Sequence, residues 1–162
     1  MTVEVDDGQR EKTACFTGHR VIAAADRERL AEALAQCIEE ATARGVVEFA
    51  AGGALGFDTM AAEAVLAQRQ RNPAVRLRLI LPCADQDARW SPADSRRYRR
   101  ILEQADPVEY IAERYFPGCM QTRNRRLVDL SSLCIGYCRK AAGGTAYTLR
   151  YAEQSGIEIF LL

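Results

Sequence analysis

Val46-Val47-Glu48-Phe49-Ala50-Ala51-Gly52-Gly53-Ala54-Leu55-Gly56-Phe57-Asp58 joins an apolar run to a glycine turn and then to the start of a helix. Strand, glycine turn and helix in immediate succession is where α/β proteins hold anionic ligands. Glycine lets the backbone turn tightly and approach a ligand, and the unpaired N–H groups of the next helix point at negative charge. The helical pattern continues through Met60, Ala61, Ala64 and Val65 over 57–70, and Asn72-Pro73 breaks it. Beyond the break, Val75-Arg76-Leu77-Arg78-Leu79-Ile80-Leu81 predicts another strand, stopped by Pro82.

The same alternation extends in both directions. Upstream, 13–17 reads as a buried strand ending at Gly18-His19-Arg20. Asp26 then opens a helix with Leu30, Leu34, Cys37, Ile38 and Ala41 on one face, closed by Gly45. Downstream, a polar loop over 83–90 leads to Ser91-Pro92-Ala93-Asp94, a serine cap with proline at the first helical position. A short strand over 107–111, a helix over 119–130, a strand over 133–138, a helix to 155 and a last strand over 157–162 complete the chain. Residues 1–12 read as a flexible polar tail. Short apolar strands alternating with amphipathic helices predict an α/β domain whose mostly parallel sheet of about six strands is covered by helices on both faces.

Bulk composition narrows the classes. The 162 residues suit one domain, and 48% apolar with 27% charged residues is ordinary for a globular protein. The 22 basic and 22 acidic residues cancel, so a global attraction to nucleic acid is not favoured, though local patches remain open. No apolar run approaches the ~20 residues of a membrane span, and the N-terminal stretch has no apolar signal core, so a cytoplasmic location is expected. Six scattered cysteines without a C-x-x-C pair, beside a single histidine, point to neither a disulfide framework nor a metal site. No cofactor is expected.

In parallel sheets ligands bind at the carboxyl ends of the strands, where the winding reverses. Three turns converge on that edge: Thr17-Gly18-His19-Arg20, Gly52 to Asp58, and Gly143-Gly144-Thr145. The last opens a helix, so its N–H groups and the Thr145 hydroxyl could hold a phosphate, with Thr148 one turn on. Arg20 matches phosphate oxygens in bidentate fashion. His19 could steady a phosphate, act as an acid–base group, or serve as a hydrogen-bonded structural residue. Asp58 could favour the helix dipole, accept from ribose hydroxyls, or act at a glycosidic carbon. Trp90 could stack on a base or plug its loop, and Gln86 could read a base edge. Asn124 interrupts an apolar position between Met120 and Leu127 and is expected to point into a polar pocket. The Arg96-Arg97-Tyr98-Arg99-Arg100 run reads as a solvated helix face that could also form a basic strip.

Taken together, Thr17-Gly18-His19-Arg20, GGALGFDTMAAE over 52–63, LPCADQDARW over 81–90, RNRRLVD over 123–129 and Gly143-Gly144-Thr145 resemble the YpsA-like family of bacterial proteins in the SLOG superfamily. The resemblance covers 13–162 and implies a single Rossmann-like domain. It also implies a nucleotide-like ligand held by Gly52, Gly53, Gly56, Gly143, Gly144 and Thr145. Relatives in that superfamily include DprA/SMF proteins, which bind single-stranded DNA, and LOG enzymes, which cleave nucleoside 5′-monophosphates at the N-glycosidic bond. Setting Gly144-Thr145 on the LOG pattern G-G-x-G-T-x-x-E puts Thr148 where the catalytic glutamate belongs, leaving Asp58 as the acid on which hydrolysis would depend. The expected function is therefore binding or sensing of a nucleotide-derived ligand, with hydrolysis and single-stranded DNA binding as alternatives. A homodimer is expected by analogy with the superfamily.

Overall fold

The computed structural model describes residues 5–162, and the expected tail over 1–12 lies partly outside them. Within that stretch Asp7–Glu11 form a short helix, α1, rather than continuing as a tail. Arg10 Nε donates to the Asp129 carbonyl at 3.1 Å and Thr13 Oγ1 to the Gln9 carbonyl at 2.8 Å, which anchors α1 to the domain.

The remaining elements follow the alternation of the sequence. They are β1 (Thr13–Gly18), α2 (Arg27–Ala43), β2 (Glu48–Ala51), α3 (Phe57–Arg71), β3 (Arg76–Cys83) and α4 (Pro92–Gln104). After these come β4 (Val108–Ala112), α5 (Cys119–Asp129), β5 (Leu133–Tyr137), α6 (Gly144–Gln154) and β6 (Glu158–Leu161). A 3-10 turn at Ala24–Asp26 leads into α2. The Ser91 side chain caps α4 by accepting from the Asp94 N–H at 3.1 Å. Pro82 does not stop β3, which runs on to Cys83. The last pairing of β3 with β2 is Ala51 with Leu79, so Pro82 lies where no β2 strand needs its missing donor.

All five strand pairings are parallel, in the order β4-β3-β2-β1-β5-β6. Side chains alternate across the sheet and feed two cores. On one face Phe16, Phe49, Leu79 and Ile135 pack under α2, α3 and α4; on the other Cys15, Ala50, Ile80 and Cys134 meet Leu127 and Val128 of α5 and Ala152 of α6. The chain winds outward from β1 through β2, β3 and β4, then returns to place β5 on the other side of β1. That reversal leaves a crevice beyond Gly18 and Tyr137, paired residues at the ends of β1 and β5. No helix among the described residues is long and apolar enough to cross a membrane.

Gly56, immediately before α3, holds the second turn against the first. Its φ is +79°, and a Cβ there would stand 2.2 Å from the Arg20 carbonyl oxygen and 2.6 Å from that of His19. Gly56→Ala is expected to cost about 2 kcal/mol or more, combining left-handed strain with a backbone clash. Gly45→Ala, at φ +102° with no atom within 4 Å of the new methyl, should cost about 1 kcal/mol. Urea unfolding of both variants checks this, and equal losses would mean that the contact with the first turn is dispensable.

Candidate functional site

A cavity of about 620 Å³ opens at the β1/β5 reversal. Its floor is the end of β1, including Phe16 and Thr17. One side is α5, through Met120, Arg123 and Asn124; the other is the 140–145 loop leading into α6. Arg20, exposed after β1, and Lys140, exposed before α6, bring two cations to its mouth.

Three sequence-singled turns thus meet, but they do different work. Gly143 stands at the N-cap of α6 with φ +107°, and open space surrounds it. Gly144 and Thr145 follow on the cavity wall, so the positive end of an eleven-residue helix faces the opening. In the 52–58 turn two donors are already engaged: Asp58 Oδ2 accepts from the Ala54 N–H at 3.2 Å, and the Phe57 N–H donates to the His19 carbonyl at 3.0 Å. The Gly53 carbonyl accepts from Gln86 Nε2 at 3.1 Å. Gly52 and Gly53 shape the wall from behind; Ala54 and Asp58 are the members of that turn that line the cavity.

Arg123 is the residue the sequence reading passed over. It is 6% exposed, beneath the cavity. Its Nη1 donates to the Gly52 carbonyl, its Nε donates to Asn124 Oδ1 at 2.7 Å, and its Nη2 lies 3.8 Å from Met120 Sδ. A Cβ on residue 52 would stand 2.6 Å from Arg123 Nη1 and 2.9 Å from Asp58 Oδ2, so glycine is what lets both charged groups close on this point. Burial pushes the Asp58 carboxyl up from its usual range, while Arg123, the Ala54 N–H and Arg20 pull it down. Burial likewise lowers Arg123, with Asp58 opposing; a guanidinium starts high enough to stay charged. Because Arg123 Nε can only donate, it fixes the Asn124 amide with oxygen inward and leaves the NH₂ group toward Gly144.

His19 lines the cavity as a neutral ring. The Arg139 N–H donates to its Nε2 at 2.7 Å, which assigns that nitrogen as an acceptor. Partial burial, then Lys140, lower its pKa. Its ring meets Tyr137 edge-on at 5.8 Å, and the Arg139 guanidinium lies 5.3 Å from the centre of the Tyr137 ring.

Three expected site residues lie elsewhere. Trp90 packs edge-to-face on Tyr98 at 5.2 Å and belongs to the main core. Thr148 is buried and turns its hydroxyl back to the Gly144 carbonyl at 2.8 Å, within its own helix. Gly56 instead borders a second groove, of about 840 Å³, that runs over the outer surfaces of α2 and α3 and meets the first cavity at Arg20 and Val21. Its base is a row of alanines, including Ala31, Ala35 and Ala64, and Arg97 binds Glu63 at its rim with contacts of 2.6 and 2.8 Å.

An open, all-parallel sheet with a cavity at its winding reversal defines a Rossmann-like α/β protein. The chain belongs to the YspA SLOG family, whose model matches residues 22–158. It is 34% identical over 113 residues to a UPF0398 protein of Halalkalibacterium halodurans, a match covering 68% of this chain and 60% of that protein. It is 28% identical over 140 residues to the SPbeta prophage-derived protein YoqJ of Bacillus subtilis, covering 78% and 82%. Among solved structures, DNA processing protein A from Streptococcus pneumoniae matches 92% of this chain with a TM-score of 0.69 at 18% identity. The chain spans about half the length of that protein, 49%. DNA processing protein A from Helicobacter pylori, described in its single-stranded DNA binding mode, matches 97% of this chain and 68% of its own with a TM-score of 0.67 at 19% identity. At these identities the structural matches establish the shared fold.

Two outcomes test the site's electrostatics. His19 binds its proton less readily folded than unfolded, so stability from this group is full above the unfolded pKa near 6.5 and falls as pH drops below it. His19→Gln should therefore flatten the decline in melting temperature between pH 7.5 and 5.5; an unchanged slope would show that the ring titrates freely. Arg123→Met leaves the Asp58 carboxyl buried without its cation and should cost about 3 kcal/mol, with much of the loss recovered in the Asp58→Asn double variant. Strict additivity in that cycle would mean that the two groups do not interact.

Proposed function

We propose that this protein binds a nucleotide or nucleotide-derived small ligand in the β1/β5 cavity, with the phosphate at the α6 N-terminus. One observation carries the reading: the amide groups of Gly144 and Thr145, the Asn124 NH₂ and the Arg20 and Lys140 cations surround one opening at the sheet reversal. Neutral donors, a helix dipole and two exposed cations suit a phosphate better than a carboxylate or an uncharged ligand. Cleavage of the glycosidic bond draws no support from Thr148, whose hydroxyl is spent inside α6, and little from Asp58, whose carboxyl is 7% exposed and held by the Ala54 N–H.

Single-stranded DNA binding is the second reading, favoured by the fold shared with the Helicobacter pylori protein. On this chain its basic strip is partly neutralised, since Arg97 pairs with Glu63 and Arg99 with Asp87.

Thermal-shift titration with nucleoside mono- and diphosphates, ADP-ribose and NAD separates the readings. A ligand at a hundred times its Kd stabilises by about 2.7 kcal/mol, or roughly 5–10 °C for a domain of this size. Lys140→Ala and Arg20→Ala should each weaken binding by about tenfold. No shift with any nucleotide at millimolar concentration, combined with oligonucleotide binding that falls steeply with salt, would replace the small-ligand reading by the DNA one.

A further inference from the structure

The 620 Å³ cavity carries two kinds of lining. Arg20, Lys140, Gly144 and Thr145 are its polar part, and Tyr115 and Met120 add an aromatic ring and a thioether. Tyr115 sits in the loop between β4 and α5 with 62% of its surface exposed, and Phe116 beside it is 41% exposed. The other lining aromatic, Phe16, is fully buried beneath the cavity and has no free face. Trp90, the aromatic singled out from the sequence, is engaged with Tyr98. A large exposed ring at the mouth of a polar cavity, followed five residues on in the first turn of α5 by a polarisable sulfur, is what a planar heteroaromatic group would stack against.

We infer that Tyr115 is the base-stacking residue of this site, so that the ligand lies with its phosphate at α6 and its base on the β4–α5 loop. The inference rests on the phosphate reading above and adds an orientation and a ligand class to it. Stacking against one exposed ring, with Met120 as the neighbouring surface, selects by the area of the π-face rather than by base-edge hydrogen bonds. Purine nucleotides should therefore bind more tightly than pyrimidine nucleotides, with little discrimination between adenine and guanine. The β4–α5 loop is the determinant, and the 84–91 loop bearing Trp90 is not.

Calorimetric titration of AMP, GMP, UMP and ribose 5-phosphate into the wild type, Tyr115→Phe and Tyr115→Ala tests this. Tyr115→Ala should weaken AMP about five- to a hundredfold, the range for loss of one aromatic–base stack, weaken UMP less, and leave ribose 5-phosphate unchanged. Tyr115→Phe should stay within about twofold of wild type. The ring is exposed, so an unchanged melting temperature is expected and confirms that the variant is folded. Loss of ribose 5-phosphate binding equal to that of AMP, or undiminished AMP binding in a background where Arg20→Ala still weakens it, would overturn the role of Tyr115 and leave the phosphate site standing. Absence of binding by all four ligands to the wild type would overturn both.

Discussion

Arg123 reaches from α5 under the cavity to the Gly52 carbonyl, and that reach ties the glycine turn after β2, Asp58 and Asn124 into one unit. A buried guanidinium is costly unless its donors are met, and here two carbonyl-type oxygens and a sulfur meet them while Asp58 supplies the opposing charge. The consequence is mechanical. The glycine turn after β2 cannot relax away from α5 without stranding a charge, and α5 cannot shift without pulling Arg123, which also holds the Asn124 amide oxygen, off the Gly52 carbonyl. Gly52 is part of the same constraint, since any side chain there would occupy the space of both charged groups.

This alters what the two glycine turns mean. Sequence logic treats each as a set of open N–H groups awaiting an anion. In the first turn the Ala54 and Phe57 N–H groups are consumed by Asp58 and the His19 carbonyl, so its glycines are there for close approach between chain segments. The second turn has no such internal acceptors, and Gly143 faces open space. One turn has become scaffold and the other is left free to present donors. Asp58 belongs with the first: its carboxyl organises the turn, which accounts for an acid at a helix start without calling on catalysis.

The fold was legible because its signals are local. β1 and β2 are short apolar runs that reach glycine, α4 announces itself by its serine cap, and the six-strand parallel sheet follows from the alternation of strands with helices. Pro82 misled because its tolerance depends on where β2 stops, which no local pattern encodes. The site was legible only in part. His19, Arg20 and the 143–145 turn sit at strand ends or helix starts, where topology alone sends them to one edge, and Asn124 showed itself as a polar break in the apolar spacing of α5. Arg123 was hidden in RNRRLVD, where four polar residues compete and only the helix register tells which is buried; Met120, Arg123 and Leu127, at steps of three and four, carried that signal. Tyr115 had no signal, because an aromatic in a loop declares nothing until the loop is placed.

Trp90 and Tyr115 show why residue type is a poor guide to role at such a site. Both are aromatic and both leave the carboxyl end of an adjacent strand, β3 or β4. What separates them is which face of the sheet the following helix covers. The chain after β3 turns toward the face of α3 and α4, where Trp90 finds Tyr98 and the main core. The chain after β4 turns toward the face of α5, which is also the face onto which the β1/β5 reversal opens. The main core therefore takes Trp90 out of the site, and the crossover into α5 delivers Tyr115 to it. In an open parallel sheet, the side on which a crossover runs decides whether a loop residue can reach the ligand, and its chemistry matters only after that.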